Sequence, residues 1–186
     1  MGDHHLFTLN GIRIRARIRQ LQGRYREAAS LIGEALDGLR GTEECDSPRI
    51  ASALGLLGYN LVAERKYAEA ERHLSECLKI RDKRVPHGGE VALLMSKRSA
   101  ARQQAFAKCL LGVCLTAQMN HADAEKVLKH GCQDLAPQPG FPEDLTPLAR
   151  RLRIEALGWL VRFYDERDKP DEAAQWRKEL EAAKAH

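Results

Sequence analysis

The sequence is poor in aromatic residues and has no long apolar run. Only 5% of its residues are Phe, Trp or Tyr, whereas 30% are charged and 44% are hydrophobic. This balance is typical of folded helical scaffolds rather than of disordered chains. No stretch approaches the roughly 18 apolar residues that a membrane-spanning helix needs. At 186 residues, the chain has enough material for one domain, or one array of repeats, with a continuous core.

The chain also lacks two signatures of an oxidising compartment. The N-terminal segment MGDHHLFTLNG has no basic stretch leading into an apolar one, which argues against a secretory signal and predicts a cytoplasmic protein. The cysteines are odd in number and include no C-x-x-C pair, so they are interpreted as reduced, small apolar residues. They are Cys45, Cys77, Cys109, Cys114 and Cys132.

Catalytic and ligand-binding motifs are missing as well. Gly88-Gly89 follows no strand pattern and precedes no Lys-Ser/Thr, so it does not form a phosphate-binding loop. Neither a G-x-S-x-G elbow nor a kinase catalytic-loop or D-F-G motif is present. His73 and Cys77 lie four residues apart, but a zinc site usually has three or four ligands. The sequence therefore predicts a non-enzyme without cofactor or metal, in which His73 faces solvent and Cys77 packs between helices.

Positive charge is concentrated in two segments, although the net charge is only +4. The first has no acidic residue between His4 and Arg26 but contains Arg13, Arg15, Arg17, Arg19 and Arg24. The second contains Lys97, Arg98 and Arg102. Such clusters attract acidic peptides or nucleic acid. The absence of interleaved aromatic residues argues against nucleic acid.

The segment Ala51–Lys83 has the pattern of two antiparallel helices. Its leucines and other apolar residues recur at three- and four-residue steps on each side of the polar break 64–66. Gly58, Ala70 and Cys77 are small residues at the positions where the two helices approach each other. With its L-x-x-L-G-x-x-L and K-Y-x-x-A patterns, the segment resembles a tetratricopeptide repeat.

Three further segments resemble this hairpin, which cannot bury its apolar face alone. The third unit repeats Leu-Gly at Leu111-Gly112, and the fourth has its turn at 169–173. The first unit departs from the pattern, because Ile and Arg alternate over 12–19 with the period of a strand. A helix is favoured there, since Ile14, Ile18 and Leu21 also keep helical spacing and the second helix of this unit needs a partner.

The predicted fold is therefore all-α, a right-handed superhelix of about four hairpins and eight helices. The units cover approximately 7–41, 48–84, 88–136 and 146–185 within a single domain, 1–186. The apolar run 91–95 is expected to extend the helix that follows it. The segment 136–147 holds four prolines and cannot be regular helix throughout. The polar C-terminus is expected to form a capping helix.

The C-terminal half also resembles a more specific kind of repeat. The segments Ala105–Glu125 and Ile154–Leu180 are similar to the tetratricopeptide tail of bacterial serine/threonine protein kinases. The closing pattern is a leucine-rich helix, a tyrosine, Asp-Lys-Pro, paired alanines and Trp-Arg. The resemblance implies an interaction module of a signalling protein and does not imply kinase activity.

In such a fold the first helix of each hairpin lines a concave groove, where a partner would bind. The lysine–asparagine clamp that some repeats use for carboxylates does not carry over, because Gly55, Tyr59, Cys109 and Val113 occupy its positions. Tyr59 and Phe106 are expected to be exposed anchors. The predicted groove residues are Arg13, Arg17, Gln20, Tyr59, Phe106, Val113, Thr116 and Arg162.

Two functions follow from this groove. The first is the binding of a protein or peptide segment that is apolar with acidic flanks. The alternative is self-association into a homo-oligomer, through the arginine-rich first helix or the run 91–95.

Overall fold

The protein is described by a computed structural model that covers residues 2–83, 91–138 and 146–185, with side chains for all of these except 2–10, 13 and 91–97. Within those ranges it contains helices and no strand. This confirms the all-α prediction of about eight helices in four hairpins. The helices are α1 (Gly2–Leu21), α2 (Tyr25–Arg40), α3 (Pro48–Ala63), α4 (Tyr67–Lys83), α5 (Val91–Ala117), α6 (His121–Asp134), α7 (Pro147–Asp165) and α8 (Pro170–Ala185).

The chain divides into two compact units, Met1–Val85 and Pro86–His186. In unit 1, α2 packs against both α1 and α3, and α4 packs against α3. In unit 2, α6 packs against both α5 and α7, while α7 also contacts α5 and α8. Each hairpin thus has a neighbour that covers its apolar side, as repeats of this kind require.

The alternating segment 12–19 is helical, as predicted, and belongs to α1. Ile12 and Ala16, four residues apart, are buried, whereas Ile14 and Ile18 are exposed. Burial therefore follows the helical period, and the period-two pattern does not form a strand. The run 91–95 is also helical, as predicted, and begins the 27-residue helix α5.

Two of the first helices begin with a capping side chain followed by proline. The Ser47 hydroxyl accepts a hydrogen bond from the backbone N–H of Arg49 at 3.1 Å, and Pro48 is the first residue of α3. The Thr146 hydroxyl accepts from the N–H of Ala149 at 3.3 Å ahead of Pro147 in α7. Since proline has no N–H and a fixed φ, it fits the first turn of a helix.

All four hairpins use the same turn between their two helices. The residue two positions before each second helix has a left-handed backbone, and the next N–H donates to the carbonyl five residues earlier, as in a Schellman motif. The left-handed residues are Gly23 (φ 73°), Arg65 (61°), Met119 (65°) and Asp168 (54°). The donor–acceptor pairs are Arg24–Arg19, Lys66–Leu61, Asn120–Leu115 and Lys169–Tyr164, at 2.9 to 3.1 Å. The four turns therefore repeat the same backbone conformation although their residues differ.

Met119→Gly is expected to stabilise the protein by about 0.5–1 kcal/mol. A side chain in the left-handed region costs about 1–2 kcal/mol, and the greater chain entropy of unfolded glycine offsets part of that gain. Met119 is 74% exposed, so little packing is lost. Chemical denaturation measures the change. Gly23→Ala is the matched control and should destabilise; a loss of stability in Met119→Gly would contradict the turn assignment.

Two hairpins close tightly around glycine. A β-carbon on Gly58 would lie 2.6 Å from Cγ of Leu74, and one on Gly112 would lie 2.5 Å from Cγ of Leu128. These leucines thus occupy the space directly above the glycines. The sequence-based expectation of close approach at Gly58 agrees with this geometry.

The last hairpin has the same Leu-Gly pair but a different partner. A β-carbon on Gly158 would have no atom within 4 Å. Arg177 stands at the position that Leu74 and Leu128 hold, four residues after the buried alanine of the second helix. It turns outward to pair with Asp165 at 2.8 Å. Helix α8 buries only Ala173 and Ala183, and Trp176 and Leu180 are half-buried. Most of its other residues are charged or polar, as expected of a terminal capping helix.

Candidate partner-binding faces

The residue that follows Leu-Gly lies at one register on three of the four first helices. It is Tyr59 in α3, Val113 in α5 and Trp159 in α7, and all three are half-buried. We call these the Leu-Gly-x positions. In α3 and α5 the preceding glycine faces the second helix of the hairpin, and the next residue is turned about 100° around the helix from it. The Leu-Gly-x positions therefore lie at the margin of the surface that the first helices leave exposed.

In unit 1 the Leu-Gly-x residue Tyr59 pairs with Tyr25, the first residue of α2. The rings of Tyr59 and Tyr25 have centroids 6.3 Å apart and meet edge to face at 63°. Arg17 on α1 is exposed, and its Nη1 donates to Oε1 of Gln20 at 2.6 Å. Gln20 is only 8% exposed. The side chain of Gln20 is therefore buried and engaged by Arg17, and its place in a partner-binding groove stays a prediction.

In unit 2 the surface carries a larger aromatic pair. Phe106 on α5 and Trp159 on α7 have centroids 5.5 Å apart with a tilt of 34°. Phe106 is 9% exposed, so the expectation that it is an exposed anchor is wrong. The indole of Trp159, in the next hairpin, contacts the ring of Phe106. Trp159 is half-buried and is therefore the more accessible of the two residues.

The remaining predicted residues of unit 2 differ in what they can offer. Val113 is half-buried. Thr116 is also half-buried, and its hydroxyl donates to the carbonyl of Gly112 at 2.8 Å. Arg162 is exposed and lies one helical turn after Trp159. Unit 2 therefore presents an indole beside a guanidinium on the same side of α7.

The predicted groove residues are distributed over both units. Unit 1 holds Arg17, Gln20 and Tyr59, and unit 2 holds Phe106, Val113, Thr116 and Arg162. Arg13 lies in α1, and its side chain is outside the described set. That these residues form one continuous groove stays a prediction.

Trp159 is the residue that the sequence reasoning missed. Its signal is present in the sequence, because Leu157-Gly158-Trp159 repeats the register of Leu57-Gly58-Tyr59. Attention to the residue after each Leu-Gly pair would have found it.

A polar cluster fixes the C-terminal part of α7, which carries Trp159, against α6. The hydroxyl of Tyr164 donates to Oε1 of Glu125 at 2.9 Å, and Nζ of Lys129 donates to the same oxygen at 2.8 Å. Lys169 lies 3.9 Å from the other oxygen, and both ammonium groups lie within 6 Å of the centre of the Tyr164 ring. The cluster thus combines ion pairing with cation–π contacts.

The charges in this cluster shift its titrations. The hydrogen bond from Lys129, assisted by Tyr164, lowers the pKa of Glu125 below its usual value of 4.5. The same carboxylate raises the pKa of Lys129. Burial is the main cause that raises the pKa of Tyr164. At neutral pH the carboxylate and the ammonium are therefore both charged.

Glu125→Gln is expected to cost about 1 kcal/mol of stability at pH 7, since the amide still accepts from Tyr164 but loses its charge. A carboxyl whose folded pKa is depressed stabilises the fold above its unfolded pKa and loses that contribution as pH falls through the folded pKa. The difference between the wild type and Glu125→Gln should therefore shrink below about pH 4.5. Urea denaturation from pH 7 to pH 3 measures it. A pH-independent difference would show that the charge of Glu125 contributes nothing.

Two of the buried thiols, those of Cys77 and Cys109, have a raised pKa. The Cys77 thiol donates to the carbonyl of Ala51 at 3.1 Å, and burial raises its pKa. A hydrogen bond with Cys132, together with burial, raises the pKa of Cys109. Burial lowers the pKa of His73.

Among the described residues, His, Cys, Asp and Glu do not assemble into any group of three that could hold a metal. In the same part of the chain, every helix is too short or too polar to cross a bilayer.

Comparison with known proteins bears on this architecture. Residues 7–83 match the tetratricopeptide repeat family. This match covers α1 from residue 7 onward and all of α2, α3 and α4, and it stops before α5. No curated protein matches the chain.

Structural similarity to solved proteins extends over the second unit as well. The chain is similar to BtubC (BKLC) from P. vanneervenii with a TM-score of 0.64 and 16% identity over 95% of its length. It spans only 63% of that longer protein. It is also similar to TPR-like repeats from Podosopora anserina, described as those of a kinesin light chain, with a TM-score of 0.58 and 16% identity. That match covers 100% of this chain and 98% of the other. At this identity the likeness shows a tetratricopeptide-like fold and nothing further.

Proposed function

We propose that this chain is a non-catalytic scaffold whose first-helix surfaces bind segments of partner proteins. The tetratricopeptide-repeat fold generally serves protein–protein interaction. The observation that carries the proposal is the aromatic pair of unit 2, in which Trp159 covers Phe106 and stands one turn from the exposed Arg162. Tyr59 occupies the equivalent position in unit 1.

The chemistry of these positions favours an apolar segment with acidic flanks. A half-buried indole offers a large contact area with little side-chain freedom to lose, and tryptophan, tyrosine and arginine are the residues that most often dominate binding energies. Arg162 in unit 2 and Arg17 in unit 1 are exposed cations that suit carboxylates. A segment with an apolar anchor and nearby Asp or Glu matches both features.

We further propose that the chain is a cytoplasmic module of a bacterial, kinase-associated signalling protein. The support is the resemblance of Ala105–Glu125 and Ile154–Leu180 to kinase tails. The genomic reading frame around this sequence tests the proposal. A kinase domain in the same frame would support it, whereas a complete frame and operon without signalling proteins would count against it.

Peptide selection tests the binding proposal even though the natural partner is unidentified. A random peptide library is selected on the immobilised wild-type chain, and the enriched peptides are titrated by fluorescence anisotropy. The variant Tyr59→Ala with Trp159→Ala should bind them at least tenfold more weakly while circular dichroism stays helical. Phe106 is left intact, because truncating a buried phenylalanine costs about 3–5 kcal/mol and would confound the result. Unchanged affinity would contradict the proposal.

A further inference from the structure

Helix α1 presents an apolar stripe that no described contact covers. Ile14, Ile18 and Leu21 are 63%, 48% and 62% exposed and follow the spacing i, i+4, i+7. Single exposed apolar residues are ordinary in proteins, but three in one row on one helix form a contiguous patch. The other side of α1 already supplies the core, through the buried Ile12 and Ala16.

The stripe faces away from the packed side of α1. At about 100° per residue, the centre of the stripe lies roughly opposite the midpoint between Ile12 and Ala16. The stripe is also separate from the Leu-Gly-x positions, which lie on other helices. Arg17 stands between the stripe and the side that bears Gln20, so Arg15 on the far flank is the cleaner probe of this surface.

The spacing of the stripe is that of a coiled-coil seam. Steps of four and then three residues place Ile14, Ile18 and Leu21 at successive d, a and d positions of a heptad. Arg15 then occupies an e position and Arg17 a g position, and both are exposed. Charges at e and g decide which helix can pair with such a seam. No Asp or Glu occurs between His4 and Arg26, so the part of α1 that carries the stripe offers only positive charge along it.

We propose that this stripe docks an amphipathic helix of a partner protein that carries acidic residues beside its apolar seam. A second copy of α1 fits poorly. Antiparallel pairing would set Arg15 against Arg15 and Arg17 against Arg17, and parallel pairing would bring no acid to either. A lipid surface fits less well, because interfacial helices expose a broad apolar face, usually with aromatic residues, whereas the exposed apolar side chains described in α1 form a single row of aliphatics. The inference does not rest on the peptide-binding proposal, since Ile14, Ile18 and Leu21 are not among the residues that carry that proposal, although Arg17 borders both surfaces.

Designed peptides of about 20 residues test the proposal, a length at which an amphipathic helix can form. One fluorescein-labelled peptide carries leucine at a and d with glutamate at e and g, and its partner peptide has lysine at e and g. The full-length chain is titrated with each. The glutamate peptide should bind at least tenfold more tightly than the lysine peptide, and added salt should weaken it.

Variants distinguish specific binding at the stripe from nonspecific hydrophobic binding elsewhere on the chain. The triple variant Ile14→Ser, Ile18→Ser and Leu21→Ser should lose at least tenfold in affinity, and Arg15→Glu should lose severalfold. The matched control, Met119→Ser with Leu148→Ser, removes two other exposed apolar side chains, 74% and 54% exposed, and should bind normally. Because all of these side chains are exposed, circular dichroism should remain that of the wild type.

Four results would overturn the proposal. The first is equal affinity for the two peptides or binding of neither, and the second is normal binding by the triple variant. The third is that the wild type cosediments with phosphatidylserine-containing vesicles but does not bind the glutamate peptide, while the triple variant does not cosediment. This result would assign the stripe to a membrane. The fourth is a concentration-dependent dimer in sedimentation that the triple variant abolishes, which would assign it to a second copy of the chain.

Discussion

Gly112→Ala is expected to lower the free energy of unfolding by about 2–3 kcal/mol, whereas Gly158→Ala is expected to raise it by about 0.5–1 kcal/mol. Both glycines follow a leucine on a first helix, so their local sequences are alike. The opposite signs come from the helix that each one faces. Intrinsic helix propensity alone predicts a gain at both positions.

The loss at Gly112 has a steric cause. An added β-carbon would meet Cγ of Leu128 at 2.5 Å and the carbonyl oxygen of Ala124 at 3.3 Å. Cγ is the branch point of a fully packed leucine, and the carbonyl is backbone, so neither can yield without moving α6 away from α5. Overpacking of this kind typically costs about 1–3 kcal/mol. Gly158 has no such neighbour, and its substitution is limited to the propensity gain.

Urea denaturation of the two variants and the wild type measures both effects. Gly58→Ala serves as a second tight position, since its β-carbon would lie 2.6 Å from Leu74, and should resemble Gly112→Ala. Equal changes at Gly112 and Gly158 would contradict the packing described for the two hairpins. A stabilising Gly112→Ala would show that α5 and α6 separate easily.

Trp159→Ala is expected to weaken the binding of selected peptides about 30-fold, whereas Trp176→Ala should change it less than about twofold. The larger figure corresponds to the roughly 2 kcal/mol that defines a dominant interface residue. The chain has two tryptophans, and both are half-buried. They differ in position, since Trp159 lies on the first helix α7 and Trp176 on the second helix α8.

The comparison of the two tryptophans controls for general effects of removing an indole. Trp159→Phe keeps an aromatic ring over Phe106 and should lose less affinity than Trp159→Ala. Titration calorimetry gives the affinities, at a temperature where thermal melts show every variant to be folded. A larger loss in Trp176→Ala than in Trp159→Ala would place binding on the second helices instead.

The helices can be predicted from sequence because their apolar spacing is local. The strand-like alternation over 12–19 is correctly interpreted as helix, since the neighbouring hairpin requires a helix there. The sequence locates the turns but does not predict their shared left-handed residue. Of the four residues, only Gly23 is of a type that indicates this conformation from the sequence. Arg65, Met119 and Asp168 adopt it because packing fixes the two helices that each of them joins.

The candidate site is predicted less well, because exposure depends on the neighbouring hairpin. Phe106 has the register of a surface residue on α5 and is nevertheless buried, since Trp159 of another hairpin contacts it. Gln20 is polar and is expected at the surface, yet it is buried and bonded to Arg17. The contact of Phe106 with Trp159 joins residues that are distant in sequence. The apolar spacing within a single helix cannot predict such a contact.

The two indole N–H signals in a nitrogen-15 correlation spectrum test the central claim most directly. Each tryptophan gives one such signal, so the spectrum reports separately on α7 and α8. During titration with a selected peptide, the Trp159 signal should shift progressively to saturation, and the Trp176 signal should stay in place. A shift confined to Trp176, or saturating binding that moves neither signal, would contradict a partner-binding surface on the first helices of unit 2.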